Sequence, residues 1–231
     1  MKAVTVLVTG SDTGVGKTVL TALLARRLAA LHIPAPALKP FCSGGRDDAR
    51  ALQSASGDLW SLDEINPWHF RAPLSPLLAA RRQGIRVSVD EVLRFVRGFQ
   101  RRFPVVLVEG AGGLLSPLGE GFSTRELIVG LVARPVVVVP NRLGAVNQAL
   151  LVLAALPPRF ARCAPVVLVD SSRPDSSADT NPGLLAESLG HDRLHRLPWL
   201  EDGADTSPGG RLGSRLDALL RACGVGLPEV A

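Results

Sequence analysis

A chain of 231 residues that is 46% hydrophobic and 20% charged has enough apolar surface for one ordinary core, which excludes a disordered or fibrous chain. The net charge of +5 comes from basic side chains scattered along the whole length, in short pairs such as Arg26-Arg27, Arg81-Arg82 and Arg101-Arg102. No basic stripe marks a nucleic-acid partner, and the dispersed positive balance suits solvated surface or an anionic small-molecule substrate.

The apolar pattern predicts strands at 4–9, 35–38, 105–108, 136–139 and 166–169, nearly continuous Val/Leu runs of the kind found in sheets covered on both faces. Helical patterns fall at 18–31, 89–100, 124–132, 145–156, 182–189 and 211–222. Strand then helix, repeated, predicts an α/β fold: a mostly parallel sheet with helices on both faces, in a single domain spanning 1–231. The polar stretch 171–181 reads as the best candidate for a mobile loop. Cys42, Cys163 and Cys223 have no C-x-x-C spacing, so reduced thiols are expected, with neither a disulfide framework nor a zinc site. The N-terminal stretch lacks a signal-peptide pattern and no apolar run approaches membrane-spanning length, so a cytoplasmic location without membrane contact is expected.

Ligands of open parallel sheets sit beyond the carboxyl ends of the strands, so the residues following each Val-rich run are the ones to weigh. The first run ends in Thr9-Gly10-Ser11-Asp12-Thr13-Gly14-Val15-Gly16-Lys17-Thr18 and passes straight into a helix. This is a phosphate-binding loop: glycines let backbone N–H groups turn toward an anion, the helix N-terminus adds positive potential, Lys17 reaches the terminal phosphates and the Thr18 hydroxyl can bind magnesium. The spacing is a variant, because Ser11 stands where the common pattern has glycine and Gly10 lies one residue earlier.

Only three of the 26 basic residues are lysine: Lys2, Lys17 and Lys39. A chain that otherwise uses arginine keeps lysine where a compact charge on a flexible stem is required. Lys39 ends the second run and so lies on the same edge as Lys17; two ammonium groups beside one triphosphate point to phosphoryl transfer, and the plain alternative is a surface lysine. Glu109 follows the third run and precedes Gly110-Ala111-Gly112-Gly113, a hard oxygen ligand beside residues too small to block a nucleotide. Asp47 and Asp48 lie between Lys39 and Glu109, and one of the two aspartates would complete a magnesium set with Thr18 and Glu109; Asp48 alternatively reads as the N-cap of a helix over 49–55. Gly144, Ala145, Val146 and Asn147 open the helix after the fourth run, where free amides could hold a carboxylate or phosphate or be ordinary capping. His32, His69, His191 and His195 show no ligand spacing.

One ordered set of residues resembles the dethiobiotin synthetase family. It comprises the loop 9–18, Lys39-Pro40 with Ser43-Gly44, Asp48-Ala49 with Ala51-Leu52-Gln53, Asn66-Pro67, Pro73 with Ser75-Pro76, the run 108–113, Leu143-Gly144 with Asn147, and Pro198-Trp199-Leu200. The resemblance implies a homodimeric P-loop NTPase fold that closes the ureido ring of dethiobiotin from 7,8-diaminononanoate, CO2 and ATP with Mg2+, through a carbamate and its phosphorylated form. It implies that Thr13, Gly14, Val15, Gly16, Lys17, Thr18, Val19, Asp48, Glu109, Gly110, Ala111 and Gly112 meet the phosphates. Asp170, Ser171, Pro198, Trp199 and Leu200 would surround base and ribose. Lys17 and Lys39 would be catalytic, Ser43 would touch substrate, and Gly144, Ala145, Val146 and Asn147 of a neighbouring subunit would take the substrate carboxylate. Magnesium would fall to Thr18, Asp48 and Glu109.

Two residues depart from the family pattern. Many members have asparagine where Asp170 stands, and a carboxylate only accepts hydrogen bonds, which leaves base preference open. Gly14 stands where some members have glutamate. The rival reading is a P-loop ATPase switch of the partition or positioning type, whose early loop lysine is replaced here by Asp12.

Overall fold

The computed structural model describes residues 3–200 and 210–228; Lys2 lies outside them. Strand β1 (Val4–Gly10) leads into helix α1 (Lys17–Ala30), followed by β2 (Ala37–Leu38), β3 (Phe41–Ser43), α2 (Asp47–Ala55), α3 (Leu62–Ile65) and β4 (Trp68–Phe70). Next come α4 (Pro76–Arg82), α5 (Val89–Gln100), β5 (Val105–Glu109), the hairpin β6 (Pro117–Gly119) and β7 (Phe122–Ser123), and α6 (Thr124–Leu131). The chain continues through β8 (Arg134–Pro140), α7 (Ala145–Ala155), α8 (Pro158–Ala161), β9 (Val166–Val169), α9 (Asn181–Leu189), β10 (Leu194–Leu197) and α10 (Arg211–Ala222).

The six-stranded sheet has the order β10-β9-β8-β1-β5-β2 with every pairing parallel. Alternation along β1 assigns the layers: Leu7 enters one core, Val6 and Val8 the other. Helices α1, α2 and α10 cover the second face through Leu24, Leu52 and Leu220, while α5, α6 and α7 cover the first through Val96, Ile128 and Ala149. The expected α/β architecture is therefore present, with helices on both faces.

All five expected strands match within two residues at each end, the second starting late, at Ala37. The prolines at 34 and 36 explain this, since neither offers an N–H; Pro36 contributes its carbonyl to Leu107 N at 2.9 Å instead. The sixth strand, β10, was not foreseen: Leu-His-Arg-Leu lies at a sheet edge, has two polar residues in its middle and lacks the Val-rich signature of the buried strands. The stretch 171–181, read as loose, is tied down in this fold. Asn181 Nδ2 donates to Asn141 Oδ1 at 3.1 Å and to Arg142 O at 3.0 Å, and Asp175 Oδ2 accepts from Leu143 N at 2.8 Å. No helix among the described residues is long and apolar enough to cross a membrane.

Two kinds of helix start stand out. Helices α3, α5 and α6 open with reciprocal capping boxes, Ser61 with Glu64, Ser88 with Glu91 and Ser123 with Glu126. In contrast, α1 and α7 start at Gly16 and Gly144, both left-handed and without a side-chain cap. At α1 the first N–H groups are therefore left for something else, while at α7 the Ala145 N–H already donates to the Arg142 carbonyl at 3.0 Å.

Helix α10 is held to α1 by a buried two-bond pair, Arg27 Nε to Asp217 Oδ1 and Arg27 Nη2 to Asp217 Oδ2, each 2.7 Å. Asp217→Ala removes both bonds to a charged donor and is expected to lower the unfolding free energy by about 1.5–3 kcal/mol, read from urea denaturation. Glu120→Ala, which breaks the exposed Arg81–Glu120 pair, is expected to leave the midpoint near wild type.

Candidate functional site

The chain leaves β1 first toward β2 at one edge and later returns to build β8, β9 and β10 on the other side. The carboxyl end of β1 is thus the point at which connections diverge, where open parallel sheets leave a crevice. The 10–18 loop fills that point. A side chain at Gly10 would meet Val15 Cγ2 at 2.7 Å and Val138 O at 2.9 Å, so the loop can turn back on the strand only with glycine there. Gly16 has φ 97° and would meet Val169 at 3.1 Å if it carried a Cβ, which brings the end of β9 beside the loop. The glycine missing at position 11 is thus supplied by Gly10, and Ser11 uses its hydroxyl to reach Gln148 Oε1 on α7 at 3.2 Å.

Lys17 is buried and donates to the Asp12 carbonyl at 2.5 Å. Burial, with the Lys39 charge adding to it, lowers its pKa to about 8. Lys39 directly follows β2 and pairs with Glu109 Oε1, with Asp48 Oδ2 at 3.0 Å and with the Gly110 carbonyl at 3.4 Å. Burial works against its charge, but the two carboxylates outweigh burial and raise its pKa.

Glu109 is 1% exposed and accepts from Thr18 Oγ1 at 2.8 Å, while its Oε2 is buried without a hydrogen-bond partner. Burial pushes its carboxyl up, against the pull of Lys39. Asp48 is also opposed by burial, yet Lys39 and a Thr18 hydrogen bond hold it below the usual carboxylate range.

The capping alternative for Asp48 is thereby corrected. Helix α2 begins at Asp47, its N-cap is Arg46 without a side-chain cap bond, and Asp48 sits in the first turn with its carboxylate on Lys39. The surface-lysine alternative for Lys39 fails as well, since that residue is 4% exposed.

A cleft of about 740 Å³ opens over these groups. Among the residues nominated from sequence it brings together Thr13, Gly14, Gly16, Lys17, Thr18, Val19, Lys39, Ser43, Asp48, Glu109, Ala111 and Gly112. Val15 lies under the loop at 6% exposure, and Gly110 contributes its carbonyl to Lys39. The Ser43 hydroxyl is buried and has no partner. Phe41, Pro73, Leu74 and Pro76 form an apolar wall to which sequence reasoning gave no role; Phe41 stacks on Trp68 across the β3–β4 pair, at a centroid distance of 5.3 Å. Only the contact between distant segments reveals that wall.

The other nominated residues do not line this cleft. Asp170 follows β9 beyond Val169, and both its oxygens are engaged: Oδ1 with Asn141 Nδ2 and Oδ2 with Arg196 Nε, each at 2.7 Å. Ser171, Pro198, Trp199 and Leu200 continue from the ends of β9 and β10, with Trp199 56% exposed. Gly144, Ala145, Val146 and Asn147 form the uncapped start of α7 outside the cleft. The four histidines also lie outside its lining.

The sheet order, the glycine loop and the lysine on its helix define a P-loop nucleotide-binding protein. Residues 4–207 match a family model described as an AAA domain. The chain is 38% identical over 200 residues to the ATP-dependent dethiobiotin synthetase of Anaeromyxobacter dehalogenans, covering 84% of this chain and 90% of that one. It is 33% identical over 205 residues to the enzyme of that name from Bacillus licheniformis, covering 86% and 87%. The chain belongs to the ATP-dependent dethiobiotin synthetase family. Among solved structures, the MinC:MinD cell division protein complex of Aquifex aeolicus aligns with TM-score 0.58 at 16% identity over 99% of both chains. pNOB8 ParA aligns at 0.55 and 14%, over 96% and 99%. These likenesses show the fold alone.

Lys39→Ala is expected to destabilise the protein by about 3–5 kcal/mol in urea denaturation, because it leaves the Glu109 charge buried without its ammonium partner. The double variant Lys39→Ala/Glu109→Gln, which removes that charge, is expected to recover most of the loss.

Proposed function

We propose that the chain is an ATP- and magnesium-dependent dethiobiotin synthetase of biotin biosynthesis, closing the ureido ring from 7,8-diaminononanoate and CO2. The observation that carries the reading is the convergence of two buried ammonium groups, Lys17 and Lys39, with Glu109 and Asp48 on one rim of the sheet.

One amine of the substrate attacks CO2 and loses a proton, giving a carbamate. A carbamate oxygen then attacks the γ-phosphorus, ADP leaves, and the second amine displaces phosphate from the carbamoyl carbon. This route needs no protein nucleophile. The cleft supports that: burial pushes the Cys42 thiol up, and Ser43 has no hydrogen-bonded base. Lys17 binds the terminal phosphates from the loop side, and Lys39 neutralises the carbamate and the migrating phosphoryl group from the other, so catalysis is positioning plus charge stabilisation. Backbone N–H groups of Gly14, Val15, Gly16 and Val19 and the small residues Gly110, Ala111 and Gly112 seat the phosphates closely, with Thr13 beside them. Ser43 binds substrate.

Thr18, Asp48 and Glu109 fit a magnesium ion. Such an ion takes one or two carboxylates plus phosphate oxygens, and the orphaned Glu109 Oε2 is a hard ligand without a partner. When bound, the ion supplies further neutralisation of phosphate charge.

The reading includes a homodimer in which residues 144–147 of the partner subunit receive the substrate carboxylate. The absence of a side-chain cap at Gly144 supports it, as do exposed Leu143, Leu150 and Leu151 around α7. It also includes a single domain and a cytoplasmic location, supported by one continuous sheet and by three free thiols. Asp170, Ser171, Pro198, Trp199 and Leu200 surround base and ribose. Because Asn141 and Arg196 already hold Asp170, the base is read mainly by backbone groups, and ATP, CTP and GTP are to be compared.

Purified protein with diaminononanoate, bicarbonate, magnesium and ATP is expected to release phosphate only when the diamine is present. Lys17→Ala is expected to lower that rate by about 100-fold or more. Hydrolysis that ignores the diamine would instead support the partition-type switch.

A further inference from the structure

Asn66-Pro67 belongs to the ordered sequence set, yet no step of the proposed chemistry uses it. Asn66 is fully buried at the end of α3. Its amide Nδ2 donates to the Lys39 carbonyl at 2.6 Å and to the Pro40 carbonyl at 3.4 Å. Its Oδ1 accepts from Arg46 Nε at 2.9 Å. The Arg46 guanidinium also donates from Nη2 to Leu62 O at 2.9 Å and to Asn66 O at 3.1 Å, and pairs from Nη1 with Asp63 at 2.7 Å. Thus one fork holds the carbonyl end of α3 and the Asn66 amide together.

These bonds tie together the Lys39 segment and the start of α2. Lys39 directly follows β2, and its N–H donates to Ile65 O at 3.0 Å. Asp48 is the second residue of α2, whose N-cap is Arg46. Asn66 therefore grips the backbone of the Lys39 segment with one end of its side chain and, through Arg46, the start of the Asp48 helix with the other. The Lys39–Asp48 pair at 3.0 Å spans these two elements. The amide does both jobs here, whereas a carboxylate lacks the donor and an aliphatic side chain lacks donor and acceptor.

We propose that Asn66 and Arg46 are positioning residues that set the Lys39 ammonium against Asp48 and Glu109 for the reaction. The inference rests on the synthetase reading for its kinetic consequence and on geometry alone for its structural one. A small displacement of a group that stabilises transferring charge lowers turnover without touching the loop that binds the nucleotide.

Asn66→Asp keeps the acceptor for Arg46 and loses both donors; Arg46→Gln removes the fork from a partly exposed site and is the variant least exposed to misfolding. Both are expected to lower kcat for diamine-dependent phosphate release by about 10–100-fold, with nucleotide Kd within about 2-fold of wild type. Wild-type kcat in folded variants overturns the proposal. So does a fall in kcat that merely follows the folded fraction, with nucleotide binding lost in parallel. Absence of diamine-dependent release in the wild type is a failure of the synthetase reading, and a crystal structure of Arg46→Gln then decides the positioning claim. Lys39 Nζ is expected to move beyond about 4 Å from Asp48, past ion-pair range; retention of the 3.0 Å pair overturns the claim whatever the protein catalyses.

Discussion

Lys39 and Glu109 are buried together at the carboxyl ends of neighbouring strands, with side-chain exposures of 5% and 0%. Taking two such charges out of water costs several kcal/mol per ion before their mutual attraction is counted, and a well-packed apolar pair is often no less stable. Stability alone therefore does not account for them. Around the pair, β1 and β5 run side by side so that Val8 lies beside Glu109, and β2 on the other side of β5 delivers Lys39. Thr18, at the start of α1, then closes onto Glu109 from the phosphate-binding loop. The parallel register of three strands thus converts three distant stretches of sequence into one charged rim.

The two ways of starting helices follow the same division of labour. Where α3, α5 and α6 serve the scaffold, Ser and Glu satisfy the first N–H groups within the chain. Where α1 and α7 face the crevice or the surface beside it, glycine replaces the capping side chain. An anion arriving at α1 meets open donors, a positive helix end and Lys17 at once.

Much of this was legible in the sequence, for physical reasons. The buried central strands read as Val-rich runs because both their faces are covered, and the glycine loop between strand and helix left one chemical reading. Lysine scarcity marked Lys17 and Lys39 before any contact was visible. Other features depend on contacts that no local pattern encodes. Asp48 looked equally like a cap until its carboxylate was found on Lys39. The role of Asn66 rests on a bond across 27 residues of sequence, and the apolar wall of Phe41, Pro73, Leu74 and Pro76 comes from separate loops. Edge strand β10 was missed because half-exposed strands need not be apolar throughout.

The central claim is that Lys17, Lys39, Thr18 and Glu109 act on one polyphosphate. A crystal structure with magnesium, a non-hydrolysable ATP analogue and the diamine tests it most directly. The account predicts the γ-phosphate within hydrogen-bond reach of both ammonium groups, with the metal held by the Thr18 hydroxyl and the Glu109 carboxylate. A triphosphate seated on the 14–18 turn, with Lys39 confined to Glu109 and Asp48 and touching neither phosphate nor substrate, would contradict it.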